Sequence, residues 1–143
     1  MRKQKKLRAL ALAATTLSVI GGATSATAQE GPLMVRIAEL QIDPAQLVAY
    51  KAILKEQQEA AVRLEPGVLM LHSVAITSAP TRIRLLEVYA SRSAYESHLR
   101  TPHFVKYKTT TESMVKALEL IETTPILLCA KSNGTLGEPI LCR

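Results

Sequence analysis

The order of hydrophobic periods between residues 33 and 130 constrains this chain most. Two-residue alternation gives way to a helical period, returns for two stretches, and is replaced by a helical period again. Leu33 to Ile42 alternates, with Leu33, Val35 and Ile37 on one face and Met34, Ala38, Leu40 and Ile42 on the other. Asp43-Pro44 then starts a helix: Asp43 can cap it, Pro44 suits its first position, and Gln46 stands at a capping-box-like spacing. Leu47, Tyr50, Ile53, Leu54, Ala61 and Leu64 recur at helical spacing, with Lys51, Lys55, Glu56, Glu59 and Arg63 on the wet side, until Pro66-Gly67 stops the helix. Val68 to Ile76 and Thr81 to Tyr89 predict two strands joined by the short loop 77–80, hence an antiparallel hairpin. Ser91 caps a short helix carrying Ala94, Tyr95, His98 and Leu99. Thr101-Pro102 caps another, expected to run to about Ile121 on Phe104, Tyr107, Met114, Leu118 and Ile121. Within it Thr109-Thr110-Thr111 is a weak helical stretch where a bend is expected. Thr123 to Ala130 is the expected last strand, with Pro125 near its start.

The order β-α-β-β-α-β predicts an α+β fold of the ferredoxin-like kind, a four-stranded antiparallel sheet with helices on one face. The other face keeps apolar side chains and has no helix to cover it, which predicts a homodimer.

The N-terminus has the three parts of a secretory signal. Arg2, Lys3, Lys5, Lys6 and Arg8 are the positive region, Ala9 to Ala23 the apolar one, and Ala26-Thr27-Ala28 an A-x-A cleavage site. The apolar run is short and broken by Thr15, Thr16, Gly21 and Gly22, which argues against a stable membrane anchor. Residues 1–28 are thus read as a signal peptide, 29–132 as one domain and 133–143 as a tail, with export to a bacterial periplasm or beyond. Of 18 basic and 12 acidic side chains, five basic and no acidic ones lie in residues 1–28. The remainder is near neutral, so a nucleic-acid partner loses its electrostatic footprint.

Cys129 and Cys142 flank Asn133-Gly134, a turn signal, so the tail could fold back as a hairpin with the sulfurs facing. A disulfide and two buried thiols are both open at this point. Asn133-Gly134-Thr135 also matches a glycosylation sequon, although a turn explains it as well.

Glu65-Pro66-Gly67-Val68-Leu69, Glu87-Val88-Tyr89-Ala90-Ser91, Ala94-Tyr95-Glu96-Ser97-His98 and Thr101-Pro102-His103-Phe104 follow one another in this order. In that order and spacing the chain resembles the antibiotic biosynthesis monooxygenase (ABM) family. The resemblance implies a dimeric α/β barrel. Members include monooxygenases that act on quinols and aromatic polyketides without a cofactor, and haem-degrading enzymes. The expected activity is therefore cofactor-independent oxygenation of a quinol or similar small aromatic hydroxyl compound by O2. The haem-degrading members use an Asn on the first strand with a Trp and a His. This chain has no Trp, and its first strand has no Asn, so haem handling is disfavoured. The second reading, from a different class, is a homodimer of the same fold that binds a small molecule or serves structurally without catalysis.

In the family picture the helix carrying His98 lines a pocket. A neutral His98 imidazole could take a proton from a substrate hydroxyl, leaving a phenolate that is easier to oxidise. The sober alternative is that His98 orders the Thr101-Pro102 turn. His103 could donate to a substrate oxygen or simply belong to the helix cap. Glu87 shares a strand face with Ile83, Leu85 and Tyr89. If that face looks inward, Glu87 needs a partner, for which His98 and Arg84 are candidates, although Arg84 alternates to the other face; Glu87 could orient a His as a dyad or form a plain ion pair. Tyr89, Tyr95 and Phe104 are the candidate aromatic contacts for substrate. His72, placed with Val68, Met70 and Val74, reads as a core or dimer-face residue. The histidine spacing shows no H-x-x-x-H or H-E-x-x-H pattern, so no metal is expected.

Overall fold

A computed structural model describes residues 32–131 and 140–142. Residues 1–28, read above as a signal, and Asn133-Gly134-Thr135, read as a turn or a sequon, lie outside the described residues. Strand β1 (Met34–Ile42) leads through a 3-10 turn (Pro44–Gln46) into helix α1 (Leu47–Leu64). Strands β2 (Val68–Ile76) and β3 (Ala79–Tyr89) follow, then helices α2 (Arg92–His98) and α3 (Pro102–Thr111). Strand β4 (Val115–Thr123) completes a four-stranded antiparallel sheet in the order β2-β3-β1-β4. The fold is ferredoxin-like α+β, with the helices on one face.

The local signals act as their chemistry dictates. Asp43 Oδ1 accepts from the Ala45 amide at 2.9 Å, Ser91 Oγ from Ala94 at 3.1 Å, and Thr101 Oγ1 from Phe104 at 3.4 Å. Each side chain satisfies an N–H that the first helical turn leaves without a partner. The stripe that α1 buries is Tyr50, Leu54, Gln57 and Ala61. Leu64, expected on it, points to water instead. The stripe packs on the sheet face formed by Ala38, Leu40, Ile42, Ile83 and Leu85, and Tyr107 joins it from α3. There the Tyr50 and Tyr107 hydroxyls bond each other at 2.7 Å, so neither is orphaned in the core.

Four expectations need correction. The last helix stops at Thr111 rather than near Ile121. Three consecutive β-branched threonines lose rotamer freedom in a helix, and the residues beyond them alternate. As β4 they close the open edge of β1, with Ile37 opposite Ile121 and Leu40 opposite Leu118. The last strand of the main sheet is therefore 115–123 rather than 123–130. Cys129–Lys131 forms instead a separate two-stranded ladder with Ile140–Cys142. The 77–80 loop shortens to a Thr77-Ser78 turn, because β3 already begins at Ala79. Finally, a register shift between Val68 and Met70 turns Val68 into the core beside Met34, Ala61 and Tyr89. His72 keeps Met70 and Val74 as face-mates but not Val68.

On the sheet face away from the helices, the register brings together Val35, Ile37, Leu86, Val88 and Ile121, with Met70, His72 and Val74 on the edge strand. Among the described residues no helix is long and apolar enough to cross a membrane.

Gly67 has a packing reason to be glycine. A Cβ there would lie 2.5 Å from the Ala94 Cβ, inside van der Waals contact. Its carbonyl also accepts from the Ala90 amide at 2.9 Å, fastening the end of α1 to the start of α2. Gly67→Ala is expected to cost about 1–3 kcal/mol by overpacking, read as a lowered urea midpoint at unchanged m-value.

Candidate active site

The helices do not reach β4. Leu118 and Leu120 lie on the helix-side face yet remain 43% and 49% exposed. The gap they border is a cavity of about 750 Å³ between β4, α2 and α3, within the usual range for small-molecule sites. Its wall includes Leu40, Leu85, Glu87, Tyr95, Leu99, Phe104, Tyr107, Leu118 and Leu120. A more open groove of about 800 Å³ runs between α1 and β2, lined by Lys51, Lys55, Glu59 and Arg63 with some apolar floor. It lacks the aromatic groups and buried carboxyl of the first cavity.

Glu87 is the sheltered carboxyl on the cavity wall, whereas Glu112, also on the wall, is exposed. The alternation of β3 aims it inward with Ile83, Leu85 and Tyr89, and β1 sets Arg36 opposite it. Burial pushes its pKa above the usual carboxylate range, partly offset by the Tyr89 hydroxyl, which donates to Oε2 at 3.3 Å, and by the Arg36 charge. Neither expected partner is the one it has. Arg84 pairs with Glu39 at 2.7 Å on the other face, and His98 pairs with Glu65.

Arg36 is a buried cation beneath this wall. It donates to the Tyr95 hydroxyl and to Glu122 Oε1, and its guanidinium lies 4.4 Å from the centre of the Tyr95 ring. Its Nε is buried without a hydrogen-bond partner. Tyr95 in turn meets Tyr89 edge-on at 5.3 Å. Tyr95 and Phe104 line the cavity, whereas Tyr89 is 1% exposed and stands behind them.

His98 does not line the cavity. It is 2% exposed, and Phe104 covers it at a ring distance of 4.7 Å. Its Nδ1 donates to Glu65 Oε1 at 2.8 Å, and its Nε2 accepts from the Gln57 amide at 3.4 Å. Burial lowers its pKa, with Glu65 pulling the other way, so the ring is neutral near pH 7. His103 Nε2 donates to the same Glu65 oxygen and lies 3.2 Å from Thr101 Oγ1. The histidines are therefore brought together, but by Glu65 and away from the cavity. His72 is apart from both on the opposite sheet face. Cys129 and Cys142 stand opposite each other in the separate two-stranded ladder and are joined as a disulfide.

Sequence reasoning missed Glu65, Gln57 and Arg36 as polar members of the interior. Gln57 and Arg36 each carried a signal. Gln57 lies on the stripe of α1, and Arg36 alternates with Met34 and Ala38.

The fold and the cavity define a small α+β protein with one aromatic-walled site and a carboxyl group at its inner end. Residues 33–110 match the antibiotic biosynthesis monooxygenase family, more than half of the chain, and the chain belongs to that family. Among solved structures it is similar to a Bacteroides thetaiotaomicron protein provisionally assigned as an antibiotic biosynthesis monooxygenase. The identity is 50%, the TM-score 0.66, and the match covers 66% of this chain and 90% of that one. A Lactobacillus acidophilus protein provisionally assigned as a monooxygenase is 26% identical with a TM-score of 0.61, over 62% of this chain and 42% of that one. A Nitrosomonas europaea protein provisionally assigned to antibiotic biosynthesis monooxygenases shares the fold at 22% identity and a TM-score of 0.63, over 67% of this chain and 92% of that one. No curated protein matches the chain.

Proposed function

We propose that this chain is an exported, cofactor-independent monooxygenase that oxidises a quinol or similar small aromatic hydroxyl compound in the β4–α2–α3 cavity. One observation carries the reading: Glu87, held above the usual carboxylate pKa by burial, faces a cavity walled by Tyr95 and Phe104. The geometry favours Glu87 over His98 as the base. Both ring nitrogens of His98 are engaged within the interior, and Phe104 stands between it and the cavity.

A phenolic hydroxyl entering between Tyr95 and Phe104 gives its proton to the Glu87 carboxylate. A raised carboxyl pKa narrows the gap to a phenol and makes that transfer less uphill. The nearby Arg36 charge favours the phenolate that results. The electron-rich ring then passes electrons to O2. One oxygen atom forms a bond to a ring carbon as that carbon's hydrogen is lost. The other leaves as water, and the substrate supplies all of the electrons. The burial of His98 and His103 against Glu65 instead favours a second reading, a small-molecule binder without catalysis.

Oxygen uptake by the purified chain with a panel of reduced quinols, measured against buffer autoxidation, separates the two. Uptake well above buffer supports the enzyme. Saturable quinol binding with no uptake supports the binder.

Export rests on the positive and apolar N-terminal segment and on the Cys129–Cys142 disulfide, which suits an oxidising compartment. A homodimer is proposed through the apolar sheet face that carries Ile37, Leu86 and Ile121. Light scattering at micromolar concentration is expected to give twice the chain mass, and a monomer mass would remove the dimer.

A further inference from the structure

Glu65, His98 and His103 take no part in the cavity chemistry, yet three elements converge to place them together. Glu65 is the C-terminal cap of α1, His98 the last residue of α2, and His103 lies in the first turn of α3. One donor atom from each lies within 4.8 Å of the other two. Their side chains are 12%, 3% and 19% exposed, so the cluster is sheltered and opens to water on the His103 side.

Two imidazoles and one carboxylate form a donor set suited to zinc and its first-row neighbours. Without an ion, each ring donates an N–H to Glu65 Oε1, at 2.8 Å from His98 and 2.5 Å from His103. Ligands around a tetrahedral ion at 2.0–2.1 Å stand about 3.3 Å apart, so a shift of under about 1 Å makes room. Each ring must also move its proton to its other nitrogen. For His98 that nitrogen is Nε2, which faces the Gln57 side-chain amide at 3.4 Å. The amide turned end for end presents its oxygen there and accepts the new Nε2–H. A metal-bound histidine usually has such an outer acceptor.

We infer that Glu65, His98 and His103 form a binding site for a divalent transition ion of the zinc type, with coordination positions left for water. The site is separate from the substrate cavity. Its ion ties the ends of α1, α2 and α3 together and fixes Phe104, which packs on His98. The role is structural, and it is independent of whether the cavity is catalytic.

The test uses the purified full chain, disulfide intact and stripped of metal. Zn²⁺ is titrated in competition with a chromophoric chelator, and Co²⁺ is followed by visible absorption. Wild type is expected to take one equivalent with Kd on the order of a micromolar or tighter, and to melt at a higher temperature with the ion bound. His103→Ala and Glu65→Gln are expected to weaken binding by about tenfold or more. His72→Ala removes the one other histidine and is expected to leave metal binding unchanged. Absence of saturable binding to wild type overturns the site without reference to any variant. So does undiminished binding to folded His103→Ala or Glu65→Gln, or loss of binding in His72→Ala. If the two site variants do not fold, the wild-type Co²⁺ spectrum decides: bands of a bound nitrogen- and oxygen-ligated ion support the site, and the spectrum of hydrated Co²⁺ overturns it.

Discussion

Glu87→Gln is expected to lower kcat/KM for oxygen-dependent quinol turnover by about 10²-fold or more, while the protein folds normally. The amide keeps the shape and still accepts from the Tyr89 hydroxyl, but it cannot take a proton from substrate. The stability effect has the opposite sign. Burial raises the folded-state pKa of Glu87, so the folded chain binds more protons than the unfolded one between the two pKa values. Stability contributed by this group is therefore present at low pH and lost as pH rises through that window. The ionised carboxylate is a cost at neutral pH, and Gln removes it. The variant should melt at or above the wild-type temperature near neutrality. Wild-type activity should fall with acidification at a pH above that of an ordinary glutamate, because the base must be ionised. An oxygen electrode and a thermal melt check both arms. Full activity in Glu87→Gln removes the base assignment, whatever the melt shows.

The contrast between β3 and β4 shows what is legible along a chain. The inward direction of Glu87 could be read from β3 alone, because Ile83, Leu85 and Tyr89 alternate with it without interruption. Caps at Asp43, Ser91 and Thr101 were equally local. Residues 112–123 were not decided locally. Tyr107, Met114, Leu118 and Ile121 fit a helical period, and Leu118 and Leu120 fit an alternation. What selects the strand is the open edge of β1, some eighty residues earlier in the chain, whose backbone groups need partners. The site follows the same rule. Tyr95 and Phe104 could be placed on helices because the caps at Ser91 and Thr101 are local. Glu65 read as one letter of a Glu-Pro-Gly turn, because its partners lie 33 and 38 residues away. The position of His98 behind Phe104 depends on how α2 and α3 pack, which no spacing reports.

His98→Ala is the variant expected to destabilise most, by about 3–5 kcal/mol. Two losses combine. The buried ring leaves a cavity among Tyr89, Phe104 and Gln57, and Glu65 loses one of the two donors that hold its sheltered carboxylate. For a domain of this size the fall in Tm is about 10–20 °C. His98→Asn, whose amide can still donate toward Glu65, is expected to recover part of the loss. The pH dependence identifies the group. In the chain stripped of metal, burial lowers the folded-state pKa of His98, so the unfolded chain takes up a proton near pH 6.5 while the folded one does not. The unfolded state then binds more protons, and wild-type stability falls as pH drops below that value. In His98→Ala this slope disappears, which urea midpoints near pH 7 and near pH 5 would show. Activity separates positioning from catalysis. Below its melting temperature the folded variant should retain turnover within about tenfold of wild type, because the base in the cavity is Glu87. A loss as large as that of Glu87→Gln, in a chain that is still folded, would return the base to His98 and require α2 to open toward the cavity during turnover.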